Sequence, residues 1–471
     1  MLYYIDPGTG SMLFAILIGI AGAVNYVVRT AIVKLRFVLS GGRQVEANED
    51  VIPYVIFSDD KRYWPVFEPV CREFDRRGID IVYFTASEDD PALDNTYDHV
   101  RATFLGDGNK TFAKLNMLKA DLVLATTPGL DVYQWKRSKD VKCYVHIMHM
   151  PGDSVLYRMF GLDYYDAVLT AGERHESDLR ALEKMRNLPA KDICMTGIPY
   201  MDEMVKRLAA SDPLPKDERY ARTVLLAPSW GPSAIFSKFG GRIIGDLLKT
   251  GYRVIVRPHP QSFKSETDMI NKIMAEYPES DQLSWNRDVD NFECLRSADI
   301  LISDFSGVIF DFALVYDKPI IYADTKFDPA PYDAWWLDQE LWTLSALPRV
   351  GMQLTEDKMG DLREMIETCL EDPRFAEGRD QLREEIWQCR GRGAVATVDY
   401  LVAKHAEVTR DAEEASGAQE LPGAEEPADA QELSDAQDSS GAEEPTDVQG
   451  SPDAEEASCT QGPSDSGKAG E

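Results

Sequence analysis

Arg257 and His259 stand two residues apart in YRVIVRPHPQSF, directly after the apolar run Val254-Ile255-Val256. A guanidinium offers a permanent charge and a planar fork of donors that matches phosphate oxygens. An imidazole can donate to the same anion or protonate a leaving group. Pro258 and Pro260 fix backbone angles on either side, so little further entropy is lost in presenting both side chains. The competing reading is a strand-ending turn with an incidental ion pair.

The chain holds six histidines. His99, His405 and His175 lie in polar surroundings and read as surface residues, and His146, inside the strand-like YVHIM, reads as core. His149 is placed like His259: it ends an apolar run and precedes Pro151-Gly152 in HMPGD. A neutral imidazole there could accept a hydroxyl proton near neutral pH. A third element is SDFSGVIFDF, in which Ser303, Asp304, Ser306 and Gly307 form a tight turn between the buried strand DILI and an apolar helix. Backbone N–H groups at such a junction make an anion site, with Ser306 adding a hydroxyl and Gly307 allowing close approach. Plain N-capping by Ser303, Asp304 or Ser306 is the alternative, and Asp304 could instead hold a ribose hydroxyl or a histidine. No Walker P-loop, no GxGxxG after the early strands and no carboxylate cluster occurs, so no cofactor or metal is expected. Asp324 and Asp328 read as loop residues.

These residues need strands that end at a common edge. VIPYVIFS, IDIVYFT, ADLVLATTPG and VKCYVHIMH alternate with helical segments such as YWPVFEPVCREFDRRG. Continuous apolar strands separated by helices predict a parallel sheet covered on both faces. A second set begins after RLAASDPLPKDERY with RTVLLAPSW, the helix IFSKFGGRIIGDLLKTG, YRVIVRPHP and the DILI segment. Two α/β, Rossmann-like halves facing a cleft follow, with ligands beyond the carboxyl ends of the strands. The expected organisation is an N-terminal segment 1–46, a first half 47–210, a second half 211–405 and a tail 406–471.

Both ends differ from this middle. Met12–Val28 is a run of 17 uncharged residues, followed by Arg29, Lys34, Arg36 and Arg43. That pattern predicts a transmembrane helix, a single-pass anchor with the bulk of the chain on the cytoplasmic side. A cleaved signal peptide and a buried helix are the competing readings. From Glu407 onward the chain carries 19 acidic and two basic residues with almost no aromatics, more than half of the net charge of −31. Such a segment cannot bury enough apolar surface to offset ordering, which predicts a disordered acidic C-terminal tail. The overall charge argues against a nucleic-acid partner. Seven scattered cysteines without a CxxC pair read as reduced thiols, Cys143 and Cys194 within apolar strands.

HMPGD, VRPHP and SDFSGVIFDFALVYDKPIIYAD, in that order, resemble the CDP-glycerol:poly(glycerophosphate) glycerophosphotransferases of teichoic acid synthesis, as do TGIPYMDEM and VLLAPSWGP. The resemblance spans roughly residues 50–395. It implies a GT-B fold and a membrane-associated transferase that moves glycerol phosphate from a CDP-alcohol donor to a lipid-linked polyol-phosphate or glycan acceptor, releasing CMP. On the matching positions it implies His149 as a base, and Arg257 and His259 as pyrophosphate contacts. Ser303, Asp304 and Ser306 then form the turn before a phosphate-facing helix, with Asp311 in its FD pair. The chain departs from the pattern at Gly307, where a second serine is usual, at Met150, where a glycine follows the histidine, and in SWGP, which lacks an arginine. A GT-B glycosyltransferase or nucleotide-sugar epimerase, and a degenerate membrane-anchored scaffold, are the rival readings.

Overall fold

The computed structural model describes residues 51–215, 217–288, 290–304, 306–323 and 328–419. The expected anchor at 12–28, its basic flank and residues 420–471 of the acidic tail lie outside them. No helix among the described residues is long and apolar enough to cross a membrane.

Seven parallel strands form the first sheet: β1 (Ile52–Ser58), β2 (Ile81–Thr85), β3 (Val100–Phe104), β4 (Ala120–Ala125), β5 (Val141–Ile147), β6 (Ala167–Thr170) and β7 (Asp192–Met195). Their order is β3-β2-β1-β4-β5-β6-β7. Six more form the second: β8 (Thr223–Leu226), β9 (Arg253–Val256), β10 (Leu283–Trp285), β11 (Ile300–Ser303), β12 (Ile320–Ala323) and β13 (Gly351–Leu354), ordered β10-β9-β8-β11-β12-β13. Each is the doubly wound order, with a switch point between the strand that starts the set and the fourth. The register sets Val55 beside Val82 and Val123, and Leu226 beside Val256 and Ile302.

Strand alternation supplies two cores per sheet. Tyr54 and Ile56 face one layer with Phe67 and Phe74, while Val55 and Phe57 face the other with Trp135 and Tyr144. In the second half Val224 and Leu226 point one way and Leu225 the other. Each such fully buried side chain stabilises the fold by about 1.5–3 kcal/mol before entropy is counted. Cys143 is buried in this way and Cys194 half-buried, whereas Cys389 is exposed.

The sequence pattern misses β3, β10 and β13. VRATF alternates weakly at a sheet edge, LSW is three residues long, and GMQL is four residues long with only its two middle residues reaching solvent. The single helix expected over IFSKFGGRIIGDLLKTG is two, Ile235–Phe239 and Arg242–Lys249, broken where Gly240 takes φ +60°.

The tail boundary also needs correction. The helix Gly393–Gln419 runs through residues 406–419, which were expected to be disordered. It returns to the first half, burying Val398 and Leu401 in that core and packing Val408 against it. His405 Nε2 meets Asp121 Oδ2 at 2.9 Å. EVTRDAEEA is rich in helix formers, and these tertiary contacts carry the helix past the start of the acidic repeats.

Three carboxylates tie the halves together. Asp153, in the loop after β5, accepts from Trp342 N (2.8 Å) and Thr343 N (2.7 Å), capping the second-half helix Trp342–Val350. In return Asp333 accepts from Phe160 N (2.7 Å) and Gly161 N (3.2 Å) and pairs with Arg186. Asp202, at the start of the helix Pro199–Ala210, accepts from Gly391 N and Gly393 N, both at 2.8 Å. Each satisfies orphan donors of a helix start or turn, so the loops that line the space between the sheets are fixed from both sides.

Candidate active site

The carboxyl edges of both sheets open onto one cleft of about 980 Å³. From the first half it is lined by Lys61, Arg62 and Tyr63 after β1, Tyr97 after β2, His149 and Met150 after β5, and Tyr200 and Arg207 after β7. From the second half come Arg257 after β9, Asp290 and Asn291 after β10, and Gly307, Val308 and Asp311 after β11.

His149 sits on the first wall. Its Nδ1 lies 2.6 Å from Thr126 Oγ1, and the Tyr63 ring meets it edge-on at 5.2 Å. Burial, assisted by the Arg62 guanidinium, holds its pKa down at about 4, so the ring is neutral throughout the physiological range.

Arg257 sits on the second. Its backbone N–H reaches Leu226 O at 2.8 Å, and its guanidinium is held by the neutral Asn286 side-chain oxygen. Among the described residues no carboxylate pairs with it, which leaves its charge for an anion. His259 lies outside the cleft lining and half-buried, fixed by its N–H to Pro228 O at 3.2 Å. Burial first, then Arg62 and Arg257, lower its pKa. Its Nδ1 accepts the Gln261 N–H at 3.1 Å. A neutral ring that accepts at Nδ1 carries its proton on Nε2, so His259 is a hydrogen-bond donor.

The segment after β11 divides. Ser306 and Gly307 start the turn, Ile309 N bonding Ser306 O at 3.1 Å, and Gly307 lines the cleft. The expected apolar helix is one α-turn, Val308–Phe310, running into a π-turn, Asp311–Val315. Ser303 and Asp304 depart from the expected phosphate role. Ser303 Oγ donates to Ala227 O at 2.6 Å and is fully buried. The Asp304 carboxylate, also buried, accepts from Ser229 N and Ile235 N and so shapes the loop after β8. Asp311 lines the cleft, but burial raises its pKa to about 7 and its Oδ1 has no hydrogen-bond partner. An uncompensated carboxyl suits a ligand hydroxyl better than a phosphate.

Two further histidines differ from expectation. His175, read as a surface residue, is fully buried; its Nδ1 accepts from Ala171 N at 3.2 Å and its Nε2 donates to Gly152 O, bracing the His149 loop. His405 lies half-buried against the first sheet. His146 is in the core as expected, with Nε2 on Tyr157 OH at 3.1 Å but Nδ1 without a partner. Sequence reasoning passed over Lys61, Arg62, Tyr200 and Arg207. All follow strands at the carboxyl edge, and that placement was the one signal that could have found them. No cluster of metal-ligating side chains occurs among the described residues.

Two doubly wound parallel sheets whose carboxyl edges share one cleft define a GT-B-like fold. Residues 158–334 match the family model described as CDP-Glycerol:Poly(glycerophosphate) glycerophosphotransferase. A relative is the teichoic acid glycerol-phosphate primase of Bacillus spizizenii (strain ATCC 23059 / NRRL B-14472 / W23), 27% identical over 166 residues, 33% of this chain and 39% of that protein. The chain therefore spans well under half the length of that relative. Among solved structures, the wall teichoic acid polymerase TagF with CDPG aligns with TM-score 0.49 at 14% identity, over 82% of this chain and 98% of that one. UDP-GlcNAc 2-epimerase from Neisseria meningitidis bound to UDP-GlcNAc aligns at 0.49 and 13%, over 75% and 100%. The resemblance read from RPHP and SDFSGVIFDF holds, and the chain is glycerophosphotransferase-like across the matched span, which includes Arg257, His259 and the 303–311 segment and begins after His149.

Proposed function

We propose that this chain transfers an alcohol phosphate, glycerol phosphate in the first instance, from a CDP-alcohol to a lipid-linked polyol-phosphate or glycan acceptor in teichoic-acid-like polymer synthesis. The observation that carries this reading is the opposition of a neutral imidazole, His149, to a guanidinium, Arg257, that no carboxylate pairs among the described residues, across one cleft.

The acceptor hydroxyl oxygen attacks the β-phosphorus of the donor, and its proton passes to His149. The bond from that phosphorus to the CMP oxygen breaks, and the charge gathering on CMP is met by Arg257 and by the His259 Nε2–H. Arg62, from the first half, adds positive potential between the two histidines. The apolar segment 12–28 with its basic flank would hold this cleft at the inner face of a membrane, near a lipid-linked acceptor.

Incubating the full chain with a lipid-linked acceptor and CDP-glycerol, CDP-ribitol or a UDP-sugar tests the assignment. Release of CMP from a CDP-alcohol supports it, and UDP release alone overturns it. Separation of cells into membrane and soluble fractions, with and without residues 12–28, tests the anchor.

A further inference from the structure

Thr126 is the first residue after β4, in the sequence ATTP, and is fully buried. Its Oγ1 lies 2.9 Å from Ile147 O and 2.6 Å from His149 Nδ1. A hydroxyl has one proton, and a backbone carbonyl can only accept. If the proton pointed at His149, Oγ1 and Ile147 O would face each other lone pair to lone pair beside a fully buried side chain, at the cost of an unmade buried hydrogen bond. The proton therefore goes to Ile147 O, Oγ1 meets the ring with lone pairs, and Nδ1 carries the imidazole proton.

We propose that Thr126 is a positioning residue that fixes His149 in the Nδ1–H tautomer, so that the ring edge away from Thr126 presents Nε2 as a hydrogen-bond acceptor. The consequence rests on the proposed function. In the second half, Gln261 N–H imposes the reverse tautomer on His259, so the two neutral imidazoles are made unlike by two local hydrogen bonds. His149 can take the acceptor's proton, His259 can only donate, and neither needs to change its ring proton before reaction. When Nε2 of His149 takes a proton, the Nδ1–H bond to Thr126 persists and strengthens in the imidazolium. Arg62, Tyr63, Tyr157 and His146 are the other polar side chains placed about this ring. Among the described residues none of these is an ionised carboxylate, so the neutral threonine is what orients the base.

The test is a 15N spectrum of the full chain grown with 15N-histidine, the His149 signals being assigned by their loss in His149→Asn. The expected result is a pyridine-type resonance on Nε2 of His149 and a pyrrole-type one on Nδ1; the reverse overturns the proposal without any variant at Thr126. Thr126→Val, which keeps the shape and removes the oxygen, should shift the ring toward the other tautomer. Its kcat should fall about tenfold to a hundredfold, within the range of general-base catalysis, with KM for CDP-glycerol held within about twofold. Thr126→Ser should restore both the tautomer and most of kcat. A Thr126→Val protein with unchanged tautomer and kcat would sink the idea. The spectrum needs no substrate, so a chain that turns over no CDP-alcohol refutes the proposed function while the tautomer is still read.

Discussion

A Cβ built on Gly307 would lie 2.9 Å from the Met150 sulfur. The two residues come from opposite halves, one after β5 and one after β11, and both line the cleft. They are also the two points at which HMPGD and SDFSG depart from the family pattern. The departures are therefore one feature: the thioether occupies space that a serine side chain at 307 would claim. Gly307→Ser alone should push the Met150 side chain into the cleft and lower kcat/KM for CDP-glycerol about tenfold, and Met150→Gly with Gly307→Ser should recover most of it. The coupling expected for such a contact pair is on the order of 1–2 kcal/mol, measured as a double-mutant cycle in kcat/KM. Additive losses would separate the two positions.

His149 and Arg257 should fail in different ways. His149→Asn removes the proton acceptor, and kcat should fall by about two to four orders of magnitude with little change in KM. Arg257→Ala removes a guanidinium held by a neutral partner, Asn286, and KM for the donor should rise on the order of tenfold or more, since a charge-assisted contact is worth about 1.5–3 kcal/mol. Steady-state kinetics across both variants checks the division. A His149→Asn protein with full kcat would remove the base from the first wall.

The fold and one wall were legible because their signals are local. An apolar run ended by Arg-Pro-His-Pro marks a strand and its ligand edge in a dozen residues, and the matching run before HMPGD does the same. Ser303 and Asp304 were misread because a polar side chain after a strand serves a ligand or a neighbouring loop equally well. Their partners, Ala227, Ser229 and Ile235, lie about seventy residues away in sequence and meet them only in the fold. Arg62 and Thr126 were missed for a related reason. SDDKRYW and ATTP carry no motif, and their meaning comes from what β5 brings beside them. His175 looked exposed because ERHESDLR is polar, yet a helix buries one face whatever its composition elsewhere, and His175 falls on that face.

Asp153 should matter to both stability and rate. Asp153→Ala leaves the N–H groups of Trp342 and Thr343 without their acceptor and frees the loop that carries His149 from the second half. The loss of such a cap costs about 1–2 kcal/mol, readable as a lower denaturant midpoint. Asp153→Asn, which keeps one acceptor oxygen, should fall between. Both should lower kcat more than they raise KM. A variant that loses stability at full kcat would show that the latch does not position His149.

Asp311 gives stability a pH dependence of definite sign. Burial holds its carboxyl at about 7 in the fold, whereas the unfolded chain releases that proton near the ordinary carboxylate value of 3.8. Between these values the folded state binds the extra proton, so stability falls as pH rises through that window, and above it the cost of a buried, unpartnered carboxylate is carried in full. Asp311→Asn keeps the shape and abolishes the titration. It should therefore gain on the parent as pH rises, by on the order of 2 kcal/mol between pH 5 and pH 8, because the parent loses what the variant never had. Denaturant midpoints at the two pH values check this, and parallel shifts in parent and variant would assign the dependence to other groups. His149 and His175, both held at about 4, and His146, also lowered by burial, contribute in the opposite sense, adding stability above about 6.5 that is lost as pH falls. Measuring the Asp311→Asn effect as a difference from the parent cancels these histidines, which both proteins share.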